Sequence, residues 1–493
     1  MDQVRSKTAG TPFLTAVPSN ERKDALSETD GSAAGTAEEP VDIKQPLVWQ
    51  NDNLSFRLWG NLRNLVNYNH LRNDAVLNPD DIFRAPKFIN LSEARLKLDG
   101  TILDNIGLFI HDRLQYEIDK NSHDWETDSD NTLDQAYASF RFGEELLTFW
   151  SIGKQRIKWG TGKFWTPVDT INPQQDLAEL EPLEEGRVAY RADIAHKTVS
   201  VTGVAVPDAD STAFSLDKFG FDGNTSLLTG KIDFFVWDSD LTLYVSDKQQ
   251  QAARVGASFA TVISDIQFFG EAIFWHGASE REYVVQTSAR QTVYDPVGDT
   301  SFILPAQFAV ETRDASYYKM LLGLQYTFTN DLSLIFEYYH RKDGYDKKDM
   351  ETYVSLLQYA GGRYADDVAS TMLAQERNPM LALPDSPSQE YVLKQGAGLY
   401  DFARLRRNYL HLSAYWPYRF GNRIDLGVDT ITNVDDVLDG NGGSYFIRPL
   451  VAYTGFQDWR FTLYSQLYLG SDETEFGILP YDWGAFFQIK YFF

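Results

Sequence analysis

The chain has no cysteine, which excludes disulfides, thiolate metal sites, iron–sulfur clusters and haem attached through C-x-x-C-H. It also lacks any run of about 18 apolar residues, so a membrane-spanning helix is excluded. Histidine is sparse: His70, His111, His123, His196, His276, His340 and His411 are scattered, with no pair at metal-ligand spacing. G-x-S-x-G, H-E-x-x-H and Walker motifs are all missing. The expectation is a protein that is not an enzyme and carries neither cofactor nor metal. Positive charge is in deficit, with 45 Lys and Arg against 70 Asp and Glu; the net −25 argues against general nucleic-acid binding. No apolar signal core opens the chain, so the expectation is either that a leader has been removed or that the start is not that of the native precursor.

Aromatic residues are plentiful at 14%, and they sit in a two-residue rhythm. Residues 1–46, rich in Ser, Thr, Ala, Glu and Pro, show no periodicity and read as a disordered tail, expected to be periplasmic and available to a periplasmic partner. From Leu54 onward about 18 alternating segments follow, the first near 54–70 and the last near 482–493. Their connections alternate as well. Tight ones (GEE, AHK, DSD, ISD, TND, RFGN) exchange with longer ones near 71–85, 119–131, 159–186, 207–224, 277–315, 343–403, 434–442 and 471–481. DKQQQ at 247–251 is the short exception. Tight turns at one end and long loops at the other are what a transmembrane β-barrel requires. The expected fold is all-β: an antiparallel up-and-down barrel over 47–493 with long extracellular loops, facing outer-membrane lipid and lipopolysaccharide. The final segment, DWGAFFQIKYFF, ends on a bare aromatic and resembles the C-terminal signature of bacterial outer-membrane barrels.

Parity separates the two faces. Trp459, Phe461, Leu463, Leu467 and Leu469 alternate with Arg460, Thr462, Tyr464, Gln466 and Tyr468. A charge at the hydrocarbon midplane costs about 2–4 kcal/mol, so the polar parity faces the lumen. Extended to all strands, it places Arg95, Lys97, Arg113, Arg141, Lys154, Arg156, Arg191, Lys319, Arg341, Arg407, Arg423, Arg448, Arg460 and Lys490 inward. Fewer acids share that face: Glu93, Asp99, Glu117, Asp193, Glu337, Asp425 and Asp429. Two readings stand side by side. The surplus forms an electropositive path for anionic solutes, or the bases pair with neighbouring carboxylates and fill the barrel. The excess acid belongs to the outer loops, including Asp124, Glu126, Asp128 and Asp130, and Glu179, Glu181, Glu184 and Glu185.

Two loops are long enough to be functional. Residues 159–186 are expected to fold inward as a constriction. Within 343–403, apolar residues at helical spacing (Tyr353, Leu356, Leu357, Ala360) predict one or two short helices interrupted at Gly361 and Gly362, as a gate or on the rim.

The segment 151–177 resembles a motif of a largely uncharacterised family of proteobacterial outer-membrane barrels placed beside the alginate-export porins. The matching residues are Gly153, Gln155, Trp159, Gly160, Pro167, Asp169, Asn172 and Pro173. That resemblance implies passage of a solute or polymer across the outer membrane. The reading is a porin-like channel for a small or polymeric anionic solute; a scaffold or sheath for a transport or electron-transfer complex, and a lipid transporter, are the alternatives.

Overall fold

The computed structural model describes residues 47–493 apart from 52, 73–74, 104, 122–123, 144–146, 175, 182–183, 222–223, 287–290, 296–299, 305–307 and 378–386. The tail expected over 1–46 lies outside the described residues. Among the described residues, eighteen strands make one sheet: β1 (Leu54–Leu71), β2 (Phe88–Ile102), β3 (Ile106–Lys120), β4 (Trp125–Phe142), β5 (Leu147–Gln155), β6 (Arg187–His196), β7 (Val199–Val206), β8 (Leu227–Val236), β9 (Ser239–Lys248), β10 (Arg254–Ile263), β11 (Ile266–Ala278), β12 (Asp314–Thr327), β13 (Ser333–Arg341), β14 (Asn408–Tyr418), β15 (Ile424–Asn433), β16 (Ser444–Tyr453), β17 (Trp459–Leu469) and β18 (Tyr481–Phe492). Each pairs antiparallel with the next. The ring closes where β1 meets β18, with Asn61 opposite Phe492 and Arg63 opposite Lys490. Closure removes every sheet edge from the membrane, which a spanning sheet must do because lipid offers no hydrogen bonds. A short strand, Leu47–Asn51, pairs with the start of β1 below the point where β18 ends.

The tight turns have a local cause. Trp237 and Asp238, and Ser264 and Asp265, are two-residue connections with positive φ at both positions, the hairpin geometry that matches strand twist. The faces then sort as the alternation dictates. On β17, Leu463 is 58% exposed while its neighbours Thr462 and Tyr464 are 2% and 3% exposed. Leu322 on β12 and Phe487 on β18 are likewise outward, and Tyr409, His411 and Ser413 on β14 are inward and buried. The outside is an apolar belt and the inside is polar and aromatic. The protein is a transmembrane β-barrel of the outer-membrane kind.

The loops differ from expectation in two places. The connection expected over 119–131 shrinks to 121–124, because β3 and β4 run on to Lys120 and from Trp125. The acids Glu126, Asp128 and Asp130 therefore sit on a strand, with Glu117 opposite Asp128 and Asp119 opposite Glu126. Like charges so placed weaken a ladder; fifteen matched residue pairs along β3 and β4 outweigh them. Secondly, Gly361 and Gly362 do not interrupt the helix. A single helix, α1 (Lys347–Arg377), runs through them and is followed by α2 (Pro387–Gly398). Glycine inside a helix costs only about 1 kcal/mol, and Gly361 lies against Pro79, where a Cβ would come within 2.9 Å of the ring. Over the barrel mouth, Tyr353, Leu357 and Leu393 of these helices share a dry core with Val76, Leu77, Tyr283, Tyr345, Leu405 and Ile478. Four outer loops are thereby joined into one cap. Among the described residues no helix is long and apolar enough to cross a membrane.

Candidate functional site

The loop between β5 and β6 enters the lumen and is held there by its own side chains and by the wall. At its root, Asn172 donates from Nδ2 to the Ile157 carbonyl (2.6 Å) and to Asp169 (2.7 Å), and its Oδ1 accepts the Ile157 N–H (3.1 Å). Asp169 in turn accepts the N–H groups of Ile171 and Asn172, both at 3.2 Å. Gln155 donates to the Ala189 carbonyl at 2.9 Å, tying β5 to β6, and Trp159 is buried against Tyr244. Gly160 has φ +97° and packs so closely on Glu271 that a Cβ would stand 2.4 Å from its carboxylate. These five motif residues close the loop and seat it; Pro167 and Pro173 border the lumen, and Gly153 lies on β5 at φ +132°.

Two wall carboxylates then grip the loop backbone. Glu271 of β11 accepts the N–H groups of Thr161, Gly162 (2.6 Å) and Val168 (3.3 Å). Glu337 of β13 accepts those of Lys163 (2.6 Å) and Phe164 (3.0 Å). A buried carboxylate is tolerable only when its lone pairs are filled, and here backbone amides fill them. The Trp165 ring stacks on Tyr339 at 5.1 Å, and Phe164 stacks on His411 at 4.5 Å. His411 lies between Glu337 (3.5 Å) and Asp429 (3.6 Å), and Asp429 is held by Arg448 at 2.7 Å.

The returning limb of the loop meets the opposite wall with acids. Glu181 is 2.9 Å from Lys490 and within 4 Å of Arg63 and Arg95. Glu184 reaches Lys97 (2.9 Å) and His111 (3.3 Å), and Glu185 reaches Lys154 (3.1 Å). Burial alone would raise the Glu181 carboxyl, but Lys490, Arg63 and Arg95 overturn that and hold it well below the usual carboxylate range. The same contest brings Glu184 down to about 2, with Lys97 the leading partner against burial. Asp176, nearer the loop's middle, goes the other way: burial and Glu179 push it up to about 7.

The bases expected to face inward divide into three groups. Arg95, Lys97, Arg113 and Lys154 are buried on one stretch of wall, with Lys490 beside them. Lys319, Arg341, Arg448, Arg460, Arg156 and Arg191 are also inward, most with an acid at hand: Lys319 with Glu280, Arg341 with Asp343, Arg460 with Asp425 and Arg191 with Asp193. Three are elsewhere. Arg407 precedes β14 and binds Asp346 and the Gly344 carbonyl among the outer loops, Arg423 is exposed in the β14–β15 turn, and Arg141 is exposed at the turn end of β4. Strand parity misplaced Arg407 and Arg423 because neither residue belongs to a strand. Glu271 and Arg63 are structural centres that the inward set omitted, although both sit on polar parity; the loop pair Arg281–Asp401 left no periodic signal.

These features lie around one cavity of ≈ 3410 Å³. Its chemistry is that of a membrane barrel's interior. No family model and no curated protein matches the chain. Among solved structures it is similar to Pseudomonas aeruginosa OccK5 (OpdH), at 9% identity over 89% of this chain and 97% of that one, with a TM-score of 0.47. Acinetobacter baumannii OccAB1 is similar at 12% identity over 92% and 99%, TM-score 0.47, and Salmonella typhi OmpF at 10% over 91% and 100%, TM-score 0.41. These are outer-membrane porins, and they give no support to the expected relation with alginate-export porins.

Proposed function

We propose that the barrel is a passive channel for small anionic solutes, narrowed by the β5–β6 loop. One observation supports this above all: the cavity has residues near both ends of the barrel in its lining. Trp59, Gln267, Ser333 and Phe492 border it near the tight turns, and Arg84, Lys248, Gln250 and Thr312 border it on the loop side. Among the described residues its lining holds sixteen Lys and Arg against ten Asp and Glu, in a chain whose net charge is −25. Several carboxylates that satisfy those bases, Glu93 and Asp343 among them, stand behind the lining and not in it. Low-dielectric walls focus such a field along the path, and weak binding at successive bases lets a solute leave again.

A sheath for a second protein is favoured less, because the loop and inward rings such as the Tyr464–Phe486 stack occupy the space a guest chain would need. The same filling favours a small solute over a polymer of the alginate type. Swelling of vesicles containing the protein tests the reading: small carboxylates are expected to enter faster than neutral sugars of equal size. Equal or slower entry of the carboxylates contradicts it.

A further inference from the structure

The wall formed by β18, β1, β2, β3, β4 and β5 has an unusual distribution of charge. It carries six buried or near-buried cations, Arg63, Arg95, Lys97, Arg113, Lys154 and Lys490. Its own strands supply carboxylates to the arginines: Glu93 to Arg63 (2.9 Å) and Arg95 (2.6 Å), and Asp134 to Arg113 (3.0 Å). The three lysines are served from the loop instead, Lys490 by Glu181, Lys97 by Glu184 and Lys154 by Glu185. The short arginine pairs are built into the sheet, with Glu181 reaching Arg63 and Arg95 only at 3.8 and 3.9 Å, whereas each lysine's pair joins the sheet to a segment that is not part of it.

Resting on the channel reading above, we infer that Lys97, Lys154 and Lys490 are a carboxylate-exchange path, in which Glu181, Glu184 and Glu185 are resident ligands that a solute bearing two or more carboxylates displaces as it passes. The physical reason is balance of charge. A buried ammonium stripped of its partner is strongly disfavoured, so a neutral solute cannot lift the loop from its seats. A carboxylate can, because it leaves each lysine with the same kind of partner. A solute with several carboxylates replaces several loop contacts at once, while a monocarboxylate leaves the remaining pairs to hold the loop down. Lysine suits such a seat, being a point charge on a flexible stem without the fixed fork that locks arginine to one partner. The neighbouring cations hold Glu181 and Glu184 below the usual carboxylate range, so at these two positions the exchange is between like species wherever solute carboxylates are charged.

The test uses the whole protein in planar bilayers, with glutarate (two carboxylates) and butyrate (one) as probes of the chloride current. In the E181Q/E184Q/E185Q variant the resident ligands are neutral, so the competent state no longer has to be freed. The half-blocking concentration of glutarate is expected to fall about ten-fold, and that of butyrate to fall as well, since no ion pair remains to hold the loop against a single carboxylate. An unchanged glutarate block in a channel that is itself anion-selective overturns the exchange path and leaves the channel reading standing. Should the variant fail to fold, hydrogen exchange on the unaltered protein in detergent decides: amides of 176–186 are expected to exchange faster in glutarate than in butyrate, and equal rates overturn the inference. A wild-type protein that does not conduct, or prefers cations, removes the channel reading and this inference with it.

Discussion

Glu271 and Glu337 show how much of this lumen depends on single side chains. Among the described residues neither pairs with a lysine or arginine in the way most inward acids do; both turn their oxygens to the backbone of the β5–β6 loop. Gly160 exists at that spot because its φ of +97° and the closeness of Glu271 leave no room for a side chain. Replacing Glu271 by Gln keeps the size but removes the charge from three amide contacts, and puts an NH2 group where amide hydrogens point. A loss of about 1–3 kcal/mol in loop seating is expected. Amides of 160–168 should then exchange faster and single-channel conductance should rise. Unaltered exchange would show that the loop is held by its aromatic contacts instead.

At the scale of elements, the outer cap has its own titration. Glu475, between β17 and β18, accepts from Tyr409 (2.7 Å) and Asn433 (2.6 Å). Burial first, and then Asp436, push its carboxyl up to about 8 despite those bonds. In the unfolded chain an ordinary glutamate titrates near 4.3. The folded form therefore holds a proton that the unfolded form has lost, and the cap's stability is full below the unfolded value and declines as pH rises toward about 8. The slope cannot exceed about 1.4 kcal/mol per pH unit for one group. Exchange of amides in 470–480 is expected to quicken between pH 5 and 8 beyond the intrinsic chemical rate, and Glu475→Gln is expected to remove that excess. An excess that persists in the variant would contradict it.

These two examples also mark what the sequence could reveal. The strands were legible because lipid and water impose opposite demands on alternate residues, and β17 and β14 spell this out residue by residue. The tight connections DSD and ISD followed from strand spacing; the positive φ at Trp237–Asp238 and Ser264–Asp265 did not, because neither contains the glycine that usually announces it. Partners across the lumen were not legible. Glu181 meets Lys490 over a separation of 309 residues, and nothing periodic connects a loop glutamate to a wall lysine. Likewise the 119–131 segment has the composition of a loop, and only pairing with its neighbour makes it a strand. The helix through Gly361 depended on packing against Pro79, which intrinsic propensity does not register.

For the molecule as a whole, acids are dense in the loops, while the inward faces of the strands carry bases together with acids such as Glu93, Glu271, Glu337 and Asp429. The belt of leucine, phenylalanine and valine outside fixes the barrel in lipid; on the channel reading proposed above, the polar and aromatic inner face and the inserted loop set what can pass. The field along the path is then the property that matters, and it is read most directly as a reversal potential. With the protein in a planar bilayer between unequal concentrations of potassium chloride, the account predicts a potential of the sign that chloride permeation produces, showing anions carrying most of the current. A potential of the opposite sign, with potassium as the principal carrier, would contradict it.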